Sequence, residues 1–148
     1  MNDLQFTEEA VKIRSIILDA KSKMSYVDCE LDDFPNASCE VASIILGLLL
    51  RTRCKNKMVL AVGKRVGKTP SDVSNHVWLT VDNKLIIDIT ADQFDDCDLS
   101  VIVSERHELH DTFNIYEYRE FDRDSLNRPG CHGYDDIYDV IIELYKNT

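Results

Sequence analysis

The stretch His76-Val77-Trp78-Leu79-Thr80-Val81-Asp82-Asn83-Lys84-Leu85-Ile86-Ile87-Asp88-Ile89-Thr90 decides how this chain is read. Two runs rich in β-branched residues flank Asp82-Asn83-Lys84, so the segment is predicted to be a β-hairpin. Side chains alternate along a strand, and a one-residue slip exchanges its faces, so loop length fixes which residues sit together. With a three-residue loop, Val81 faces Leu85, and Val77, Leu79, Val81, Leu85, Ile87 and Ile89 make one wholly aliphatic face. The other face collects His76, Trp78, Thr80, Ile86, Asp88 and Thr90. A two-residue loop would scramble both sets, so the pattern itself selects the register. That register sets His76 diagonal to Asp88, about 7 to 8 Å apart at the backbone, a gap their side chains bridge. A carboxylate within Leu-Ile-Ile-Asp-Ile-Thr would be costly to bury without such a partner.

Upstream, residues from Cys39 to about Arg53 read as a helix that is apolar almost all round, and therefore packed on several sides. Ser38 is its expected N-cap. Gly47 in its middle weakens it by about 1 kcal/mol relative to Ala, a cost that fits close approach of another backbone. Cys29 to Pro35 is an acidic loop that Phe34-Pro35 pushes to extended geometry.

Thr7 followed by Glu8 and Glu9 reads as the start of a first amphipathic helix carrying Val11, Ile16, Ile17, Ala20 and Met24. Strands are predicted over Lys57 to Val66, Leu99 to Val103 and Phe113 to Phe121, with Gly67 to Asp72 as a loop. Arg128 to Gly133 is another loop, and Ile137, Tyr138, Ile141 and Tyr145 mark a closing helix. The order is helix, buried helix, adjacent strands, helix, without βαβ alternation. It predicts one α+β domain over residues 1–148, an antiparallel sheet packed against the Cys39 helix.

With 148 residues, 44% hydrophobic and 30% charged, the composition is that of a single globular domain. A formal net charge of −10 argues against a nucleic-acid partner, which needs clustered Lys and Arg, and equally against anionic membranes. The longest apolar run, Val41 to Leu50, is far short of the roughly 20 residues that span a bilayer. The acidic N-terminus lacks signal-peptide order, and five cysteines without a CxxC pair read as free thiols, so a cytoplasmic location is expected.

Cys39 falls in the first helical turn, where free amides and the helix dipole are expected to favour a thiolate, although a buried inert thiol is the common fate of a free cysteine. A thiol on a helix head, a His on one strand and a carboxylate on the next are the parts of nucleophilic acyl transfer. Cys39 at the head of an apolar helix, His76-Val77-Trp78, and Asp88-Ile89-Thr90 followed by Gln93-Phe94 together resemble the transglutaminase-like superfamily. The resemblance covers about Pro35 to Phe94. It implies a papain-like core with Cys39 as nucleophile, His76 as base and Asp88 as the residue that orients it. No aromatic residue directly follows Cys39, where many members carry one, so substrate-site details do not transfer.

An oxyanion hole would need the Cys39 amide and a second donor, for which Asn36 is a candidate, with a turn-forming role as its alternative. Trp78 and Gln93-Phe94 are candidate walls of the site, and plain sheet packing is the alternative for the Trp. No cofactor and no metal are expected. The acidic run Asp92, Asp95, Asp96 and Asp98 lacks EF-hand spacing, and His107, Glu108 and His110 lack HExxH spacing. Cys131-His132, in a Pro/Gly loop, is a weaker rival nucleophile. The expected activity is thiol-dependent hydrolysis or acyl transfer on a peptide, protein or small acyl substrate, in peptidase, deamidase or transglutaminase style. The alternative is a non-catalytic binding or accessory module on the same fold. The sequence leaves the oligomeric state open.

Overall fold

Val81 pairs with Leu85, Thr80 with Ile86 and Leu79 with Ile87, which is the register set by a three-residue connection. Asp82 and Asn83 make the turn at φ 55° each, a left-handed geometry that Asp and Asn tolerate better than other non-glycine residues. The computed structural model describes residues 1–23, 30–127 and 134–148. The hairpin strands β2 (Val73–Val81) and β3 (Leu85–Asp88) belong to a five-stranded sheet completed by β1 (Met58–Val66), β4 (Ile102–Ser104) and β5 (Asn114–Arg119). The strand order is β4-β3-β2-β1-β5, and every pairing is antiparallel.

The sheet separates two unequal cores. Its aliphatic face packs on α1 (Asp3–Lys23) and α2 (Cys39–Arg51), with α4 (Tyr134–Lys146) laid against those two helices, and Val77, Leu79, Val81, Leu85, Ile87 and Ile89 are all buried. The opposite face carries a smaller cluster built on Ala61, Trp78, Ala91, Ile102, Leu109 and Phe113. Burying α2 on several sides follows from its sequence: Ile45, Leu46, Leu49 and Leu50 are fully enclosed. Gly47 is required by a ring, not by a backbone: a Cβ there would lie 2.2 Å from Cζ of Phe121.

Several boundaries differ from the sequence reading. Helix α1 starts at Asp3, because Asn2 and Gln5 satisfy each other's amides at 2.8 Å, while the Thr7 hydroxyl bonds back to the Asp3 carbonyl inside the helix. Ser38 precedes α2, but its side chain makes no capping bond. The strand expected over Leu99 to Val103 runs from Ile102 to Ser104, leaving Leu99 exposed. The strand expected over Phe113 to Phe121 is Asn114–Arg119, and its two flanking Phe rings are buried in different cores. A four-residue helix, α3 (Glu108–Asp111), was not anticipated. Cys29, Met24 and the loop with Cys131 and His132 lie outside the described residues. No helix among the described residues is long and apolar enough to cross a membrane.

One long-range tie fixes the segment after β3. Arg14 of α1 donates to both carboxylate oxygens of Asp92 (2.9 and 2.8 Å) and to the carbonyls of Ile89 (2.6 Å) and Ser100 (3.2 Å). Asp96 is held in the same way by Arg65 at 3.0 Å. Two members of the acidic run therefore act as anchors for the loop.

Candidate active site

Strand β3 is shorter than β2, so His76, near the start of β2, has no β3 residue hydrogen-bonded beside it. Asp88 is the last residue of β3, and the chain then turns at Thr90 into the 3-10 turn Ala91–Gln93. This ending lets the Asp88 carboxylate reach along the sheet face. Its Oδ2 lies 2.6 Å from Nε2 of His76, the diagonal contact the hairpin register predicts. Its Oδ1 accepts from the Thr90 amide at 2.9 Å and from the Thr90 hydroxyl at 3.4 Å.

A third residue joins them. His110, carried by α3, places its Nε2 2.7 Å from the same Oδ2. His76 and Asp88 are fully buried and His110 nearly so. Around them lie Trp78, whose ring is 5.5 Å from that of His76, Phe94 edge-on at 4.8 Å, and Phe113 at 5.6 Å. The Arg65 guanidinium covers Phe94 and Phe113 from outside.

Burial alone would lower the basicity of His76. The charge and hydrogen bond of Asp88 more than reverse this, with a smaller contribution from hydrogen bonding and charge of Cys39, and together they push His76 up to about 9. Asp88 moves the opposite way: the charge of His76 and the hydrogen bonds from His110 and His76 outweigh its burial and hold it well below the usual carboxylate range.

Cys39 is half-buried at the first position of α2. Two contacts set the helix head against the sheet: Ser43, one turn on, donates to the carbonyl of Val77 at 3.4 Å, and Arg119 of β5 donates to Glu40 at 2.7 Å. Val77 follows His76 directly, and the charge and hydrogen bonding of Cys39 reach the His76 ring. Nε2 of His76 is committed to Asp88, which leaves Nδ1 as the second polar atom of the ring.

Of the other expected residues, Gln93 comes close, its side-chain nitrogen 3.4 Å from Nδ1 of His76 and bonded to the Thr90 carbonyl at 3.1 Å. Trp78 and Phe94 wall the imidazole as described. Asn36 is exposed, and its backbone amide closes a turn onto Asp33 at 2.7 Å, so its turn-forming role is the one seen. In the sequence His110 stands only as half of a pair with His107, with no local signal of its contact with Asp88.

His76, Asp88 and His110 are also the residues whose ligand atoms, all within 4.8 Å of one another, could gather round a cation. Metal ligands bound at about 2.0 to 2.2 Å stand roughly 3 Å or more apart. Separations of 2.6 and 2.7 Å to one shared oxygen are those of charge-assisted hydrogen bonds instead. A cavity of about 370 Å³ opens on the same sheet face, between Trp78, Thr80, Ile86, His110, Ile115 and Tyr118; Cys39 does not line it. Comparisons of the chain with protein-family models, with curated proteins and with solved structures found no match.

Proposed function

We propose that the chain is a thiol-dependent hydrolase or acyltransferase of the transglutaminase-like, papain-like kind, acting on an amide or ester carbonyl. The observation that carries this reading is the buried His76–Asp88 pair, whose imidazole has raised proton affinity and feels the Cys39 thiol at a helix head. Cys39 gives its proton to Nδ1 of His76 while Asp88 keeps the ring oriented through Nε2. The sulfur adds to the carbonyl carbon, the bond to the amine or alcohol breaks, and His76 returns the proton to that leaving group. Water or an amine, deprotonated by His76, then adds to the thioester and releases Cys39.

The Cys39 backbone amide supplies one oxyanion donor in this scheme; Gln93, beside His76 Nδ1, supplies the second by exchanging its contacts with the Thr90 carbonyl and hydroxyl for the substrate oxygen, while Asn36 is turned to solvent. The substrate class is a peptide, a protein or a small acyl compound. A second reading, a binding module that keeps the fold without turnover, draws on the complete burial of the His76 ring.

Limiting iodoacetamide at mildly acidic pH, followed by peptide mass spectrometry, separates the two. Cys39 is expected to be alkylated first of the five thiols and His76→Ala to slow it. Cys97 is buried with its thiol on the Leu99 carbonyl, and Cys54 bonds to the Leu50 carbonyl. Modification of any other cysteine first, with Cys39 untouched, removes the nucleophile from this scheme.

A further inference from the structure

Asp88 orients His76, but something must orient Asp88. A carboxylate swings about its Cβ–Cγ bond, and the Thr90 amide and hydroxyl hold only Oδ1. On the Oδ2 side the additional donor is Nε2 of His110 at 2.7 Å. We propose that His110 is a positioning residue of this site, its Nε2–H fixing Oδ2 of Asp88 toward His76 and keeping the buried carboxylate charged. This inference rests on the reading of Cys39 as nucleophile and His76 as its base.

Three features support it. A carboxylate oxygen only accepts, so both imidazoles must carry a proton on Nε2, which makes His110 a donor. Its other nitrogen, Nδ1, is buried without a hydrogen-bond partner among the described residues, so the polar role of this side chain is vested in the contact with Asp88. The ring is also held in place: Trp78 packs on it edge-on at 4.7 Å, His107 at 5.7 Å, and His76 stacks at 6.0 Å. A side chain chosen for packing alone would not leave a nitrogen orphaned in an aromatic cluster.

The test compares Cys39 alkylation rates in the wild type, His110→Leu and His110→Gln at one mildly acidic pH, below each melting temperature. Losing a hydrogen bond to a charged group is expected to slow His110→Leu by about tenfold or more. In His110→Gln the amide nitrogen stands in for Nε2, and the rate should stay within about threefold of wild type. Equal rates in wild type and His110→Leu, or equal slowing in both variants, would overturn the donor role. Nitrogen-15 NMR of histidine-labelled wild type decides the same point should His110→Leu not fold. His110 must appear as the Nε2–H tautomer, and an Nδ1–H tautomer sinks the proposal. A wild-type Cys39 that is unreactive or indifferent to His76→Ala means instead that the nucleophile assignment has failed, whichever tautomer His110 shows.

Discussion

The side-chain amide of Gln93 stands 3.4 Å from Nδ1 of His76, at the ring nitrogen not used by Asp88. That is long for a hydrogen bond, and the same nitrogen is held by the Thr90 carbonyl at 3.1 Å and hydroxyl at 3.2 Å. As an oxyanion donor, Gln93 exchanges these Thr90 contacts for the substrate oxygen. Gln93→Ala should reduce hydrolysis of an activated acyl ester by about 100-fold, the cost of one oxyanion donor. Iodoacetamide alkylation of Cys39 builds no oxyanion and should change by no more than about threefold. A parallel fall in both rates would assign Gln93 to His76 instead.

Asp88→Ala removes the acceptor for two buried imidazoles, and the loss of one partner from a buried charged pair costs about 3 kcal/mol or more. Domains of this kind have about 5 to 15 kcal/mol in hand, so the variant should fold with a lower melting temperature. Measured below that temperature, turnover should drop by a further 100-fold or more, because the base has lost its orientation. A rate loss that vanishes once the folded fraction is corrected for would make Asp88 purely structural.

His76 rises to about 9 in the folded chain from an ordinary value of 6.5. A raised value means that the folded state holds the proton more tightly, so this stabilisation is fully present below pH 6.5 and disappears as pH climbs through about 9. Urea midpoints should fall between pH 7 and pH 10, and the difference between wild type and His76→Gln should shrink over the same interval. A difference that stays constant with pH contradicts a proton on His76.

Gly47→Ala sets two effects of opposite sign against each other. Helix propensity favours Ala by about 1 kcal/mol. The new methyl, however, would sit 2.2 Å from Cζ and 2.6 Å from Cε2 of Phe121. That ring cannot yield cheaply, because the Arg51 guanidinium lies 3.8 Å above it and also bonds to the Phe121 carbonyl at 2.7 Å. Overpacking costs about 1 to 3 kcal/mol, so the variant should be less stable in denaturant melts. A gain would mean that the ring has found another seat.

The hairpin was legible because alternation is a two-residue signal and only one loop length sorts Val77, Leu79, Val81, Leu85, Ile87 and Ile89 onto a single face. The His76–Asp88 contact followed from the same register. His110 was not legible for the converse reason. It rides on a helix of four residues, too short to show a period, and meets Asp88 across 22 residues of sequence, a separation that no local pattern encodes. The start of α1 was misplaced because Thr7 with Glu8 and Glu9 mimics a cap, while Asn2 and Gln5 form the real one. Ring against glycine, as at Phe121 and Gly47, is likewise a tertiary fact: the sequence shows the missing side chain but not what fills its place.

The Arg14 clasp has a consequence in time. It joins the first helix to carbonyls and a carboxylate 75 to 86 residues further along, and it closes over the segment that bears Gln93 and Phe94. Such distant closures come late in folding, after local hairpins have formed. During refolding, the hairpin bearing His76 and Asp88 is therefore expected to form before the clasp seats Gln93 beside it, and Arg14→Ala should loosen the Gln93 segment while leaving the hairpin register unchanged.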